Sequence, residues 1–462
     1  MGTRLSLNGS DWEFKDFVGE DWIWRNSEKP DTKDVRWWRR GTVPGSVLHD
    51  LLTSGEVPDP HFERNSLLVE WVPQRTWIYR KRFEVPAAMR GQRLRLCFDG
   101  IDYEAHIYLN GVHLGDHRGM YVPAAFDATD AIRFDGDNHL AVVIERAPDE
   151  QPQVSKTRYV RTHKSRMTYW WDFCPRMIHQ GIWDSVYLEG TGDVRIADAF
   201  VRPALADDFA SADVAVTTTL YASAAAAVET EIALTLDGRE VAKSSIAREV
   251  EPGDVSFVET LRLERPELWW PNGAGAQTLY EAKVTVAVRG ADGTRTVSDE
   301  RTTTFGVRRI EWARNETPDE TALPYTLVVN GRRLYMKGWN WVPIDAMYGV
   351  ERPEKLDRLL TLARQANCNL LRVWGGGLIE KEAFYDACDR LGLLVWQEFI
   401  QSSSGIANKP SEDPEFIGMM AREAEAIIPR KRNHPSLAIW CGGNELQHDD
   451  GRPLDDGEPV LA

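Results

Sequence analysis

Cysteine is scarce in this chain and too scattered to hold a fold together. There are five, Cys97, Cys174, Cys368, Cys388 and Cys441, and no two form a CxxC pair. An odd, dispersed set excludes a disulfide framework and a zinc knuckle, and a reduced, cytoplasmic setting is expected. No run of about 18 apolar residues occurs, so no membrane-spanning helix is expected. The N-terminus, Met1-Gly2-Thr3-Arg4-Leu5-Ser6-Leu7-Asn8-Gly9-Ser10, lacks the long apolar core of a signal peptide. Basic residues are outnumbered. With 55 Lys and Arg against 71 Asp and Glu, the net charge is −16, which disfavours nucleic acid and anionic membrane as partners. No cofactor or metal is implied, and Asp449-Asp450 and Asp455-Asp456 read as solvated tail residues.

What the chain has in excess is tryptophan, 18 residues in 462. Indoles fill cores, and their faces also stack on the C–H faces of sugars. The clusters Trp37-Trp38, Trp170-Trp171, Trp269-Trp270, Trp339 with Trp341, Trp374, Trp396 and Trp440 put several of them at strand ends, which favours the second use.

The length calls for two or three domains. Residues 1–195 read as all-β. Arg93 to Phe98 alternates with period two, and Ala105 to Leu109 runs through Asn110-Gly111 into Val112, a strong hairpin signal. Short strands with turn signals mean a sandwich or jelly roll. Residues 196–308 repeat the pattern at the size of an immunoglobulin-like sandwich, with turns at Asp237-Gly238, Pro252-Gly253 and Asp292-Gly293.

From 309 to 462 the period changes. Strands are expected at Arg333 to Gly338, Leu370 to Trp374, Leu393 to Trp396 and Leu437 to Cys441. Helices between them carry Leu356, Leu359, Leu360 and Ala363, then Phe384, Ala387, Cys388 and Leu391 stopped by Gly392. A longer one carries Ile417, Met420, Ala424, Ile427 and Ile428, with Ser411 as its N-cap. Alternating βα units with apolar strands predict a parallel sheet, and four strands are half of an eight-stranded barrel. The expected whole is a multidomain β plus α/β chain: jelly-roll β-sandwich, immunoglobulin-like β-sandwich, then the first half of a TIM (β/α)8 barrel.

The chemistry-bearing residues gather after the barrel strands. Glu445 follows the fourth strand, beside Trp440 and Asn444, where barrels place their active sites. In a partly dry, sugar-sized pocket, desolvation would keep its carboxyl protonated and able to donate to a departing glycosidic oxygen; the plain alternative is a surface or ion-paired glutamate. Arg372-Val373-Trp374-Gly375-Gly376-Gly377 follows the second strand. Its glycines either fold over a ligand, with Trp374 as a pocket wall and Arg372 as an orienting charge, or make a tight turn over a core tryptophan. No GK[ST] follows, which excludes a phosphate loop. Glu398 ends the third strand, and is either a second catalytic carboxylate or a hydrogen-bonded structural acid. Asp172, inside Tyr169-Trp170-Trp171-Asp172-Phe173-Cys174-Pro175, either pairs with His163, Lys164, Arg166 or Arg176, or reaches over the barrel toward ligand hydroxyls.

In order along the chain, Val43-Pro44-Gly45-Ser46 to Leu51, Trp171-Asp172-Phe173-Cys174-Pro175-Arg176, Leu268-Trp269-Trp270-Pro271-Asn272-Gly273, Phe305-Gly306-Val307-Arg308, Lys337-Gly338-Trp339-Asn340-Trp341-Val342-Pro343, Asn369 to Gly377 and Arg432-Asn433-His434-Pro435-Ser436 into Asn444-Glu445 resemble family 2 glycoside hydrolases, on the β-mannosidase side. The resemblance implies a retaining β-glycosidase that removes terminal β-linked sugars. Glu445 would be the general acid/base. Asn444, Trp374 and Asp172 would contact the sugar, with Arg372 and Trp171 beside them. The nucleophile would be a glutamate after the seventh strand, past residue 462, so the chain alone is expected to be a poor catalyst. It departs from the family pattern at Cys441-Gly442-Gly443, where Ser-Gly precedes the asparagine, and at Glu398, where Asp is usual. Related branches act on β-glucosaminides, β-galactosides and β-glucuronides, and some mannosidases act internally. Carbohydrate is the implied partner, and a homo-oligomer is compatible with it. A non-catalytic carbohydrate-binding protein with a vestigial barrel is the rival reading, and a shortened reading frame is a third.

Overall fold

The computed structural model describes residues 2–316, 325–402, 404–452 and 460–461. The first sandwich packs a six-stranded sheet on a four-stranded one. In the larger sheet the order is Arg39–Val43, Gly9–Phe17, Thr76–Phe83, Asn138–Ile144, Glu104–Leu109 and Val112–Arg118. In the smaller it is Thr3–Ser6, Val186–Thr191, Arg93–Phe98 and Ala124–Asp127. Alternation does the sorting. Glu104–Leu109 buries every second residue, and Trp12, Phe14, Trp77, Tyr79, Leu96 and Ile107 meet in one core. The hairpin at Asn110-Gly111 has φ of 53° and 84°, both positive, as its two-residue turn requires.

The second sandwich sets Val194–Leu205, Ser211–Ala222 and Gly253–Glu264 against Arg239–Val250, Ala226–Leu236, Tyr280–Arg289 and Arg295–Phe305. An internal loop and the exit segment of this sandwich are both bolted to the barrel. The Trp269 indole donates to Asp389 O (2.9 Å), and Asn272 Nδ2 donates to Arg364 O and Cys368 O (both 2.9 Å), satisfying carbonyls at a helix C-terminus. Arg308, half-buried, donates to Pro435 O (2.7 Å) and Leu437 O (2.6 Å), and desolvation pulls its guanidinium down to about 10.

Four parallel strands, Gly338–Trp341, Leu370–Val373, Leu394–Glu398 and Leu437–Cys441, lie side by side in chain order. Val460–Leu461 adds a short antiparallel edge. Helices Pro353–Gln365, Glu382–Leu391 and Pro414–Lys431 alternate with the strands. Among the described residues no helix is long and apolar enough to cross a membrane.

Three local expectations are corrected. Arg333 to Gly338 is not one strand: Arg332–Leu334 closes a separate three-stranded sheet with Tyr325–Val329 and Ile310–Arg314, and the barrel strand starts at Gly338. The third helix is capped by Asp413, not Ser411, because the Asp413 carboxylate accepts the N–H groups of Glu415 and Phe416. On that helix Ile417 is exposed and Glu423 is buried. The helix faces a loop of the first sandwich, and His163 there pairs with Glu423.

Candidate active site

The site is built on strand ends. Arg372, near the end of the second strand, reaches to both sides. Its Nε and Nη2 approach Glu398 Oε1 at 2.8 and 2.7 Å, Nη2 also donates to Asn444 Oδ1 at 2.8 Å, and Nη1 donates to Asn340 Oδ1 at 3.1 Å. One planar guanidinium thus registers groups from all four strand ends, a job for arginine rather than lysine. The second Glu398 oxygen accepts the Gly375 N–H (2.7 Å). Burial pushes the Glu398 carboxyl up, against the pull of Arg372 and the Gly375 N–H. Glu398 is therefore the hydrogen-bonded acid, bound at both oxygens, and Arg372 is its partner and orienter.

Asn444 is buried, and its backbone N–H donates to Gln401 O (3.0 Å). Arg372 holds its oxygen, which leaves the Nδ2 amine as the group able to meet a ligand hydroxyl. Glu445 follows with φ of 50°, left-handed backbone that costs a non-glycine residue about 1 kcal/mol or more. Among the described residues it forms no ion pair, and its charge acts on Glu398, so the two carboxylates share one rim. Glu445 is exposed. The expected partly dry setting is corrected here: only one arc of strand ends surrounds the carboxyl, and that arc leaves it open to water.

The glycine run is closely packed. Gly375, Gly376 and Gly377 are buried, and a Cβ on Gly375 would lie 2.7 Å from Phe399 O. The run is a tight turn packed on protein. Gly376 O accepts the Met167 N–H (3.0 Å), which brings a loop of the first sandwich onto the barrel. Trp374 is only 7% exposed. Trp171 stacks on it, with centroids 6.3 Å apart at 27°, and Phe173 meets it edge-on at 5.9 Å. Trp374 thus backs the site as a floor, and Trp171 and the exposed Phe173 form the surface above it.

Asp172, between those two rings, is exposed. The cations expected as its partners are placed elsewhere: His163 on Glu423, Lys164 on Asp102, Arg166 on Pro152 O at 2.9 Å, and Arg176 toward Glu70 at 3.8 Å. The Asp172 loop therefore lies over the barrel with its carboxylate unpaired among the described residues. A cavity of about 650 Å³ opens alongside, between Phe173–Pro175 and Pro343–Met347, and neither Glu445 nor Arg372 lines it.

Two contributors were passed over in the sequence. Asn340 stands in the Lys337-to-Pro343 segment, and an asparagine between two strand-end tryptophans was a usable signal. His163 accepts the Ile400 N–H at Nε2 (2.9 Å), which leaves its ring proton on Nδ1 for Glu423. It pins the loop after the third strand from the first sandwich, and no spacing in the chain announces that.

Known proteins share this organisation. Residues 12–184 match the glycosyl hydrolase 2 galactose-binding domain-like model, residues 194–308 the glycosyl hydrolases family 2 model, and residues 324–453 the family's TIM barrel domain model. The chain is 30% identical over 452 residues to β-mannosidase B of Emericella nidulans, covering 93% of this chain and 50% of that protein. It is 32% identical over 444 residues to β-mannosidase B of Neosartorya fischeri, with coverages of 93% and 50%. The solved β-D-mannosidase from Dictyoglomus thermophilum superposes with a TM-score of 0.80 at 30% identity, covering 96% of this chain and 52% of that one. An exo-chitosanase from Amycolatopsis orientalis, at 21% identity, shares the fold with a TM-score of 0.75, over 95% of this chain and 49% of that one. The chain spans about half the length of the curated relatives it matches.

Proposed function

The chain belongs to glycosyl hydrolases family 2, and from that premise we propose that it carries the acid/base half of a retaining β-glycosidase site directed at terminal β-mannosides. The observation that carries the reading is the division of labour between two glutamates on one rim. Glu398 is bound at both oxygens, whereas Glu445 is unpaired among the described residues and open to a substrate.

In this reading Glu445 gives its proton to the glycosidic oxygen as a second carboxylate, roughly 5 Å away, attacks the anomeric carbon. It then takes a proton from the water that releases the sugar. The Asn444 amine holds a hydroxyl beside the breaking bond. Trp171 offers an apolar face, and Asp172 accepts hydroxyls from across the rim. Glu398 is too firmly held to attack, so the nucleophile is assigned to a residue past 462. The names of the relatives support mannose as the sugar. Five free thiols support a reducing compartment.

The test compares residues 1–462 with a chain read on in the gene to the length of the relatives, assayed on nitrophenyl and alkyl β-mannosides. The longer chain is expected to turn over, and the shorter one to show at most a trace. In the longer chain Glu445→Gln should lower kcat on alkyl mannosides by about 10²- to 10⁴-fold, and far less on nitrophenyl mannosides, which need little help in leaving. Robust turnover by 1–462 that Glu398→Gln abolishes would move the nucleophile to Glu398. The open rim also favours a second reading, a carbohydrate-binding protein, which calorimetric mannoside binding without turnover in the longer chain would support.

A further inference from the structure

The hairpin Glu104–Leu109 and Val112–Arg118 in the first sandwich holds a group of side chains that the glycosidase reading does not use. His106 and Asp116 face each other directly across the two strands. His113 lies three residues before Asp116, an odd spacing that would put it on the opposite face of a regular strand. A β-bulge opposite the Ile107–Tyr108 step adds one residue to the second strand and returns His113 to the Asp116 face. Gly115 stands at this irregularity with φ of 152°, where a Cβ would lie 2.8 Å from the Phe126 ring. Bulges re-aim side chains, and this one brings a second imidazole to the same carboxylate.

The result is a convergent trio. His106 Nδ1 is 2.6 Å from Asp116 Oδ1, and His113 Nε2 is 2.8 Å from the same oxygen. The three donor atoms all lie within 4.8 Å of one another. The rings are braced from behind. Glu145 Oε1 sits 3.3 Å from the far nitrogen of His106, and Trp22 and Tyr108 pack beside the two imidazoles. A carboxylate behind an imidazole fixes the tautomer and presents the other nitrogen, the usual support of a metal-bound histidine.

We propose that His106, His113 and Asp116 form a binding site for a divalent metal ion of the zinc class. Two imidazole nitrogens and one carboxylate oxygen are the donor set that borderline ions prefer over calcium or magnesium, and three protein ligands leave a position for water. Ligand bonds of about 2.0–2.2 Å in a tetrahedron need donors about 3.3–3.6 Å apart, so each imidazole has to draw back from the Asp116 oxygen by about 0.5–1 Å, a small rotation for exposed side chains. Binding displaces the protons that now lie between the imidazoles and Asp116, while Glu145 keeps the proton on the other His106 nitrogen. Among the described residues the other trio of potential ligands, Asp386, Asp389 and His434, offers one imidazole. The Ser436 N–H and His434 already hold Asp389, and Glu382 takes the remaining His434 nitrogen.

The test is calorimetric titration of zinc chloride into untagged, chelator-treated protein, repeated with His113→Gln, Asp116→Asn and, as a control, Asp386→Asn. One saturable site is expected in the parent and in Asp386→Asn, and its affinity should fall at least tenfold in each of the other two variants. Cobalt(II) in place of zinc should give visible absorption bands of a four-coordinate N/O site, lost in the same variants. No saturable heat in the parent, or saturable binding that survives both His113→Gln and Asp116→Asn, overturns the proposal. These two side chains are largely exposed, so far-ultraviolet circular dichroism should confirm that both variants stay folded.

Discussion

Arg372 is the residue on which the rim depends, because Glu398 is almost fully buried, at 1% exposure, and has no other cation among the described residues. Removing one partner of such a pair strands a charge, at a cost of about 3 kcal/mol or more. Arg372→Met should lower the urea midpoint of barrel unfolding accordingly, followed by tryptophan fluorescence. Arg372→Lys should fall between, since it restores the charge without the fork that also reaches Asn340 and Asn444. A Met variant as stable as the parent would mean that Glu398 gives up its charge at little cost. The placement of Glu445 and Asn444 was legible in sequence because a buried strand of a parallel sheet delivers whatever follows it to one edge. The Arg372–Glu398–Asn444 contacts were not. They depend on which residues of neighbouring strands stand in register, and spacing along a chain carries no such information. The openness of the Glu445 site follows from the half barrel read in the sequence, because the walls of such a site come from the other strand ends.

At the scale of elements, turns and helix joints set the barrel's geometry. Gly375→Ala should destabilise the barrel by about 1–3 kcal/mol, because the new methyl meets Phe399 O at 2.7 Å, and a carbonyl in a strand-end turn has little room to retreat. An Ala variant with the parent's melting temperature would show that the turn relaxes freely. His434 joins the helices Glu382–Leu391 and Pro414–Lys431 to the start of the fourth strand. Burial by itself would lower this imidazole, but hydrogen bonds to Asp389 (2.6 Å) and Glu382 (3.0 Å) outweigh it and push it up to about 9. A raised folded value stabilises the charged form, so the contribution is whole below about 6.5 and is lost as pH rises through about 9. The stability gap between the parent and His434→Gln should therefore shrink by about 3 kcal/mol between pH 6 and pH 10 in urea titrations. A constant gap would show the imidazole to be neutral throughout. The strand Leu437–Cys441 was readable to the residue, since Pro435-Ser436 and Gly442-Gly443 bound an apolar run. The helix start was not: Ser411 and Asp413 are both good caps, and only the backbone path decides which one meets the first free N–H groups.

At the scale of the whole molecule, the barrel sheet ends on an edge that faces solvent. In Gly338–Trp341 the first three residues are exposed, and Trp339 is 43% exposed. An uncovered edge carries unpaired N–H and C=O groups and invites another strand, and an exposed indole makes pairing more favourable. Against this stands the net charge of −16, which repels a second copy over the Debye length, about 10 Å at 0.1 M salt and about 3 Å at 1 M. The balance should tip with ionic strength. Sedimentation velocity of residues 1–462 should show the weight-average mass rising from low to high salt, with β-structure retained. Trp339→Lys, which adds a charge to the edge and removes its apolar face, should hold the chain monomeric over the same range. The strand's backbone is unchanged in that variant, so a loss of association would assign the contact to this edge rather than to the sandwiches. If salt leaves the mass unchanged, or Trp339→Lys associates as the parent does, the edge is not where copies meet, and any oligomer of this chain is built through another face.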